Sequence, residues 1–82
     1  MTRKEIIDLF EDEELMFVDG FDEAIIGIDT VSYRVIYNKE IMIEVLIGEG
    51  MSYDDALEHF SYNIEGAYVG EKTPIYCQTT VI

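Results

Sequence analysis

The first apolar and polar positions of the chain predict a short amphipathic helix with an acidic end. Thr2 and Glu5 have the spacing of a capping box, in which each side chain binds a free backbone N–H at the start of a helix. The apolar positions that follow recur at helical spacing: Ile6, Leu9 and Phe10. We therefore predict a helix over about residues 3–14. Acids crowd its last turn, where the helix dipole disfavours negative charge, so either the helix ends early or these acids have another role.

Between residues 15 and 37 the apolar runs become shorter and are separated by turn residues. Asp19-Gly20 is a turn signal. Residues 24–28 and 31–37 are rich in Ile, Val and Tyr, which predicts two β-strands. We expect the two strands to pair through a connection near Asp29-Thr30.

Two further helices are predicted in the middle of the chain. Asn38 can cap a helix that runs to about Ile47, and Glu44 is its only polar interior residue, so we expect this helix to be buried at the centre of the core. Gly48-Glu49-Gly50 can end it, and Ser52 with Asp55 repeats the capping pattern at the next start. The second helix has one apolar stripe: Tyr53, Ala56, Leu57, Phe60 and Ile64.

The C-terminal third predicts the end of the helical region and a last strand. Gly66 and Gly70 interrupt the pattern, Thr73-Pro74 favours extended backbone, and residues 75–82 alternate weakly like a terminal strand. The order α-β-β-α-α-β predicts an α+β fold with a small, mostly antiparallel sheet packed against helices. We expect one domain over residues 1–82, with an acidic helical segment at 1–19, a core at 20–76 and a C-terminal strand or tail at 77–82.

Composition adds a large charge imbalance to a foldable chain. The 82 residues include 18 acids and 5 Lys or Arg, which gives a net charge of −13. Because 49% of the residues are hydrophobic, the chain is too apolar for a disordered acidic segment. One cysteine, Cys77, cannot form an intrachain disulfide, and no signal peptide or membrane span is evident. We expect a protein of the cytoplasm.

One tract resembles a family of small proteins encoded by tailed bacteriophages. It is GMSYDDALEHFSYNIEGAYVGEKTPIY at residues 50–76, and the resemblance extends over about residues 20–76. It implies a phage product made in a bacterial host cytoplasm. The family offers no catalytic residues to carry over, and the two ends of the chain have no counterpart in it.

The residues that could carry chemistry favour structural roles. His59 is the only histidine and has no nucleophilic partner at a suggestive spacing, and one His with one Cys cannot make a zinc site. Residues 19–23 lack the acid spacing of a calcium loop, and the glycines at 66 and 70 lack the Lys and Ser/Thr of a phosphate loop. Asp54 and Asp55 are explained by the helix start. We predict no catalytic site, no metal and no cofactor.

The excess of carboxylates is therefore the main functional signal. Residues 1–23 hold nine acids and two bases, which exceeds what solubility requires. We predict a non-enzymatic protein whose acidic surface binds a basic, nucleic-acid-binding host protein and inhibits or redirects it, in the manner of a DNA mimic. Direct binding of nucleic acid is disfavoured. The predicted contact residues are Glu11, Asp12, Glu13, Glu14, Asp19, Asp22 and Glu23.

Three alternatives stay open at this stage. In the first, the acids serve solubility alone. The chain could instead be an assembly module that forms a homo-oligomer through tyrosines and strand edges. An enzyme would require His59 and carboxylates to share a pocket. We expect most of the six tyrosines to cover the small core rather than to make contacts: Tyr33, Tyr37, Tyr53, Tyr62, Tyr68 and Tyr76.

Overall fold

Residues 2–78, the part of the chain described by the computed structural model, form three α-helices and a three-stranded sheet. In chain order the elements are α1 (Arg3–Leu9), β1 (Ile25–Ile28), β2 (Val35–Asn38), α2 (Lys39–Gly48), α3 (Tyr53–His59) and β3 (Ile75–Cys77). A 3₁₀ turn, Asp22–Ala24, precedes β1, and a π-helix, Phe60–Glu65, continues α3. The predicted α+β class and the order α-β-β-α-α-β are confirmed. The predicted C-terminal strand is present as β3, and residues 79–82 lie outside the described part.

The sheet is mixed rather than wholly antiparallel. Its strand order is β1-β2-β3, with β1 antiparallel and β3 parallel to β2. A β-bulge between Ile25 and Gly27 interrupts the β1–β2 pairing. Because parallel neighbours require a long crossover, α2, α3 and the π-helix make the connection from β2 to β3.

The hairpin between β1 and β2 explains why β2 begins later than predicted. Val31 N–H donates to Asp29 Oδ1 at 3.0 Å, and the Ser32 hydroxyl donates to Asp29 Oδ2 at 2.7 Å. These hydrogen bonds hold the pKa of Asp29 below its usual value and close a turn in which Tyr33 takes a φ of 55°. Residues 31–34 therefore lie outside the strand, with residues 31 and 32 in the turn, and Val31 is 88% exposed.

Local capping sets the starts of α2 and α3. The Asn38 side chain accepts from Ile41 N–H at 3.1 Å, and the Ser52 hydroxyl accepts from Asp55 N–H at 3.2 Å. Gly50, at φ 107°, ends α2 in the left-handed conformation, and its N–H donates to Ile47 O at 3.0 Å. The predicted caps at Asn38 and Ser52 and the predicted end of α2 at Gly48-Glu49-Gly50 are confirmed. The expectation of a fully buried α2 is wrong in part, because its outer face carries Glu40 and Glu44 and leaves Ile47 exposed.

Helix α3 continues as a π-helix, which the apolar stripe did not predict. Gly66 N–H donates to Ser61 O at 3.2 Å, the five-residue spacing of this helix type. Phe60 and Ile64 are both buried in the core. Gly66 ends the element, and a Cβ there would lie 3.1 Å from Ser61 O, so the position favours glycine.

Tyr37 occupies the centre of the core. Its side chain is fully buried, and its hydroxyl accepts from Val18 N–H at 2.8 Å. Burial raises the pKa of Tyr37, and the hydrogen bond from Val18 offsets part of that rise. Its ring lies 6.1 Å from that of Tyr76, which meets Phe60 edge to face at 5.4 Å. The other buried apolar residues are Ile6, Phe21, Ala24, Ile25, Val35, Met42, Ile43, Leu46, Ala56, Phe60 and Ile64.

The tyrosines do not all cover the core as expected. Tyr33, Tyr37 and Tyr76 are buried or half-buried and have aromatic neighbours. Tyr53, Tyr62 and Tyr68 are 61%, 78% and 78% exposed. They lie on the outer side of α3, on the π-helix and in the loop after it, so the expectation that most would roof the core is wrong for half of them.

Two cations hold β3 beside β2. Arg34 Nε donates to Thr73 O and Arg34 Nη2 donates to Pro74 O at 3.5 Å. From the segment before β3, Lys72 Nζ donates in turn to Ser32 O, before β2, at 2.8 Å. The segment before β3 is thus tied to the segment before β2, which fixes the two strands in parallel.

Replacing the buried hydroxyl of Tyr37 tests its structural role. Tyr37→Phe leaves Val18 N–H without its acceptor, so we expect a loss of about 1–3 kcal/mol in the free energy of unfolding. Urea denaturation monitored by circular dichroism measures the change. The matched control is Tyr62→Phe, whose exposed hydroxyl should change stability by less than about 0.5 kcal/mol. Equal effects of both variants would contradict the role assigned to Tyr37.

Candidate acidic binding surface

Residues 11–23 form the acidic segment, which contains all seven predicted contact residues. It begins where α1 ends: Leu9 is the last helical residue, and Phe10 leaves the helical conformation at φ −126°. The last turn of α1 contains no basic residue to balance the helix dipole. The helix therefore ends before the four consecutive acids at 11–14, and the expected extension to about residue 14 is wrong.

Arg3 holds the C-terminal half of the acidic segment. Its Nη2 lies 2.9 Å from Asp22 Oδ1 and 3.2 Å from Asp19 Oδ1. Its guanidinium carbon lies 4.6 Å from the centre of the Phe17 ring. Desolvation lowers the pKa of Arg3, but the hydrogen bonds to both carboxylates outweigh it and the pKa is raised overall. The turn predicted at Asp19-Gly20 lies between these contacts, with Gly20 at φ 89°.

Further contacts hold the acidic segment against β2, the core and the segment before β3. Val18 binds the hydroxyl of Tyr37, as described above, and Phe21 is buried in the core. At the start of the segment, Lys72 Nζ lies 3.6 Å from Glu13 Oε2. Just before it, the ring of Phe10 lies 5.9 Å from that of Tyr33. The segment has little regular secondary structure, yet contacts fix it along its length.

The seven predicted contact residues fall into two groups. Glu13, Asp19 and Asp22 form ion pairs with Lys72 and Arg3. The other four are exposed and have no ion pair within residues 2–78: Glu11, Asp12, Glu14 and Glu23. The first group tethers the segment to Arg3 and Lys72, although the Asp19 side chain is itself 96% exposed. The second group presents negative charge to solvent with no ion-paired cation among the described residues.

A second concentration of acids lies on α2, on α3 and between them, and sequence reasoning treated these residues only as caps and solvated positions. They are Glu40, Glu44, Glu49, Asp54, Asp55 and Glu58. All six are exposed, and none takes part in an ion pair in the described part of the chain. Lys39 is the only Lys or Arg from residue 39 to residue 59. A count of charge by predicted element would have found this region.

The other residues considered for chemistry have structural partners or none. His59 is partly exposed, and its Nδ1 lies 3.3 Å from the side-chain nitrogen of Asn63. Cys77 is a half-buried free thiol in β3. Within residues 2–78, no three His, Cys, Asp or Glu side chains are grouped so as to hold a metal ion. Asp19 and Asp22, considered above for calcium, face Arg3 instead.

Comparison with known proteins gives no match, either to a protein-family model, to a curated protein or to a solved structure. None of the helices in residues 2–78 has the length and apolar character needed to cross a membrane.

Removing the Arg3 charge tests whether it fixes the acidic segment. Arg3→Met keeps an apolar stem over Phe17 but breaks both ion pairs, so we expect faster amide hydrogen exchange in residues 18–24. For a partly exposed pair worth about 1 kcal/mol or less, the increase should be about fivefold or less. Lys4→Met is the matched control, because Lys4 is exposed and lies outside the ion pairs of the described residues. Equal exchange in the two variants would contradict this role.

Proposed function

We propose that this protein is a non-enzymatic interaction protein whose acidic segment binds a basic partner of the nucleic-acid-binding type. The observation that supports the proposal is that Glu11, Asp12, Glu14 and Glu23 are exposed and form no ion pair with any residue from 2 to 78, on a segment that other contacts hold in place. A fixed array loses less conformational freedom on binding than a mobile acidic tail would. It can therefore act as a shaped surface as well as a source of attraction.

The sign of the charge selects the chemistry of the partner. With a net charge of −13, the chain repels nucleic acid and attracts Lys- and Arg-rich surfaces from a distance. Carboxylates on a held backbone can occupy sites that otherwise receive phosphates, so the partner would be inhibited or redirected by competition with its nucleic acid. No cofactor or metal is needed for such a role.

The resemblance to tailed-bacteriophage proteins is the reason to seek the partner among bacterial host proteins. Defence nucleases, polymerases and nucleoid proteins all carry basic grooves that bind nucleic acid. We propose that the protein acts in the host cytoplasm, where it would meet all three classes.

Affinity capture from bacterial lysate tests this function. The bait is the full chain, compared with the variant Glu11→Gln, Asp12→Asn, Glu14→Gln, and capture is performed at low and at high salt. We expect the parent chain to retain a basic nucleic-acid-binding protein at low salt and to lose it at high salt. The triple variant should bind it at least about tenfold more weakly and with a smaller salt dependence, because three charges no longer contribute.

A matched variant separates the acidic segment from overall charge. Glu49→Gln, Asp55→Asn, Glu71→Gln removes the same number of exposed carboxylates elsewhere on the molecule. Its affinity for the captured protein should lie within about threefold of that of the parent chain, because these substitutions change only the long-range electrostatic field of the molecule. If both triple variants weaken binding equally, the acidic segment is not the contact surface. If neither does, the proposed function is wrong.

An assembly module is the second candidate function, and exposed aromatic side chains favour it. Tyr62 and Tyr68 are each 78% exposed and Val69 is 52% exposed, while the outer edge of β1 has no neighbouring strand within residues 2–78. Tyrosine is common in protein interfaces. Sedimentation equilibrium tests this candidate. It is supported if the parent chain is a dimer or larger species and the double variant Tyr62→Ser, Tyr68→Ser is a monomer. A monomeric parent chain would rule out the assembly module.

A further inference from the structure

A groove between α2 and α3 combines an apolar floor with an acidic rim. Its volume is about 310 Å³. The apolar lining comes from Ile43, Ile47, Tyr53 and Leu57, and the polar lining from Lys39, Glu40, Glu44 and Gln78. On α2 the positions 40, 43, 44 and 47 share one helical face, and on α3 the positions 53 and 57 do so. The groove therefore follows the line along which the two helices meet.

The apolar lining is only partly used by the fold itself. Ile43 is buried and Leu57 packs against the core, so these two form the floor. Ile47 is 40% exposed and Tyr53 is 61% exposed, and they form the walls. Large apolar side chains that border a groove and remain this exposed are suited to a protein contact. The volume is at the lower end of the range of about 300–1,000 Å³ for ligand pockets, which favours one or two inserted side chains over a larger ligand.

The rim determines the charge of what can bind. Glu40 and Glu44, both on α2, line the groove. Asp54 and Glu58 follow Tyr53 and Leu57 in the sequence of α3 but do not line it. All four are exposed and unpaired within residues 2–78. Lys39, the one cation at the groove, has its Nζ 4.0 Å from Glu65 and 5.3 Å from the Phe60 ring centre. The groove is thus an apolar strip with carboxylates along its α2 side.

We propose that this groove binds a cationic amphipathic helix of a partner protein. One or two apolar side chains of the helix would lie between Ile47 and Tyr53, and its Lys or Arg residues would pair with Glu40 and Glu44. The inference goes beyond the proposed function, because the acidic segment contributes no residue to the lining of this groove. Its contact combines apolar burial with charge, whereas the acidic segment offers charge alone.

The two modes of binding differ in their response to salt. Attraction between exposed charges is screened at physiological ionic strength over about 8 Å, whereas apolar burial is not. A peptide in the groove should therefore keep part of its affinity at high salt. The same lysines without apolar side chains should lose nearly all of theirs.

Fluorescence anisotropy with two defined peptides tests the proposal on the full chain. The first peptide consists of leucine and lysine at amphipathic helical spacing and is about four turns long. The second has serine in place of every leucine. At about 300 mM salt we expect only the first peptide to bind, because the Debye length is then well under 10 Å. Equal affinity for the two peptides would overturn the proposal.

Variants of the exposed walls and rim locate the peptide. Ile47→Ser with Tyr53→Ser should weaken binding of the leucine-lysine peptide about tenfold, and Val31→Ser with Tyr62→Ser, which removes comparable exposed side chains elsewhere, should leave it within about twofold. Glu40→Gln with Glu44→Gln should weaken it more than Glu11→Gln with Glu14→Gln. If the wall variant binds like its control, or the two charge variants are equivalent, the groove is not the binding site. The comparison of the Glu40/Glu44 variant with the Glu11/Glu14 variant also distinguishes failure of the groove proposal from failure of the proposed role of the acidic segment.

Two results would show that something other than a partner helix occupies the groove, and either would overturn the proposal. If Ile47→Ser with Tyr53→Ser converts a dimer of the parent chain to monomer in sedimentation, a second copy occupies the groove. Gln78 lines the groove and residues 79–82 follow it, so Val81→Ser with Ile82→Ser is measured in the full chain as well. A gain of about tenfold in peptide affinity would assign the groove to the chain's own C-terminus. Affinity within about twofold supports a partner helix.

Discussion

The scarcity of cations is the constraint on which this structure depends. Five Lys or Arg residues face 18 acids, and four of the five make defined contacts within the fold. Arg3 and Lys72 each bind carboxylates of the acidic segment, Lys39 lies beside Glu65, and Arg34 binds backbone carbonyls before β3. Each of these contacts joins parts of the chain that are distant in sequence. The positive charge therefore stabilises contacts between distant parts of the chain, and most of the remaining carboxylates form no ion pair within residues 2–78.

Tyr37 links this charge arrangement to the apolar core. Its ring belongs to the aromatic group with Tyr76 and Phe60, and its hydroxyl reaches the backbone of Val18 in the acidic segment. A segment with so many like charges has little tendency to pack, because its carboxylates repel one another and favour hydration. The buried hydroxyl, the buried ring of Phe21 and the ion pairs of Arg3 overcome that tendency at three neighbouring points. The exposed acids are consequently held by two buried side chains and by a group of ion pairs at the surface.

The features that the sequence predicted well are those decided within a few residues. The caps at Thr2, Asn38 and Ser52 each involve a partner three positions away, so their spacing is visible in the pattern. The parallel pairing of β3 depends instead on contacts between Arg34 and residues about forty positions later, which no local pattern contains. Val31 shows the same limit on a smaller scale. Its β-branched side chain favours a strand, but the carboxylate of Asp29 hydrogen-bonds its backbone and makes a turn.

The candidate site was predictable as a composition but not as a surface. Counting charges located the acids at 11–23, whereas the division between paired and free acids depends on where Arg3 and Lys72 reach. The acids of α2 and α3 gained importance only when Ile47 and Tyr53 were found exposed beside them, since the apolar pattern had placed both in the core. Carboxylates alone attract any basic surface and give an encounter with little selectivity. An apolar groove beside Glu40 and Glu44 requires in addition a side chain of matching shape, and this requirement is what would allow one basic protein to be chosen among many.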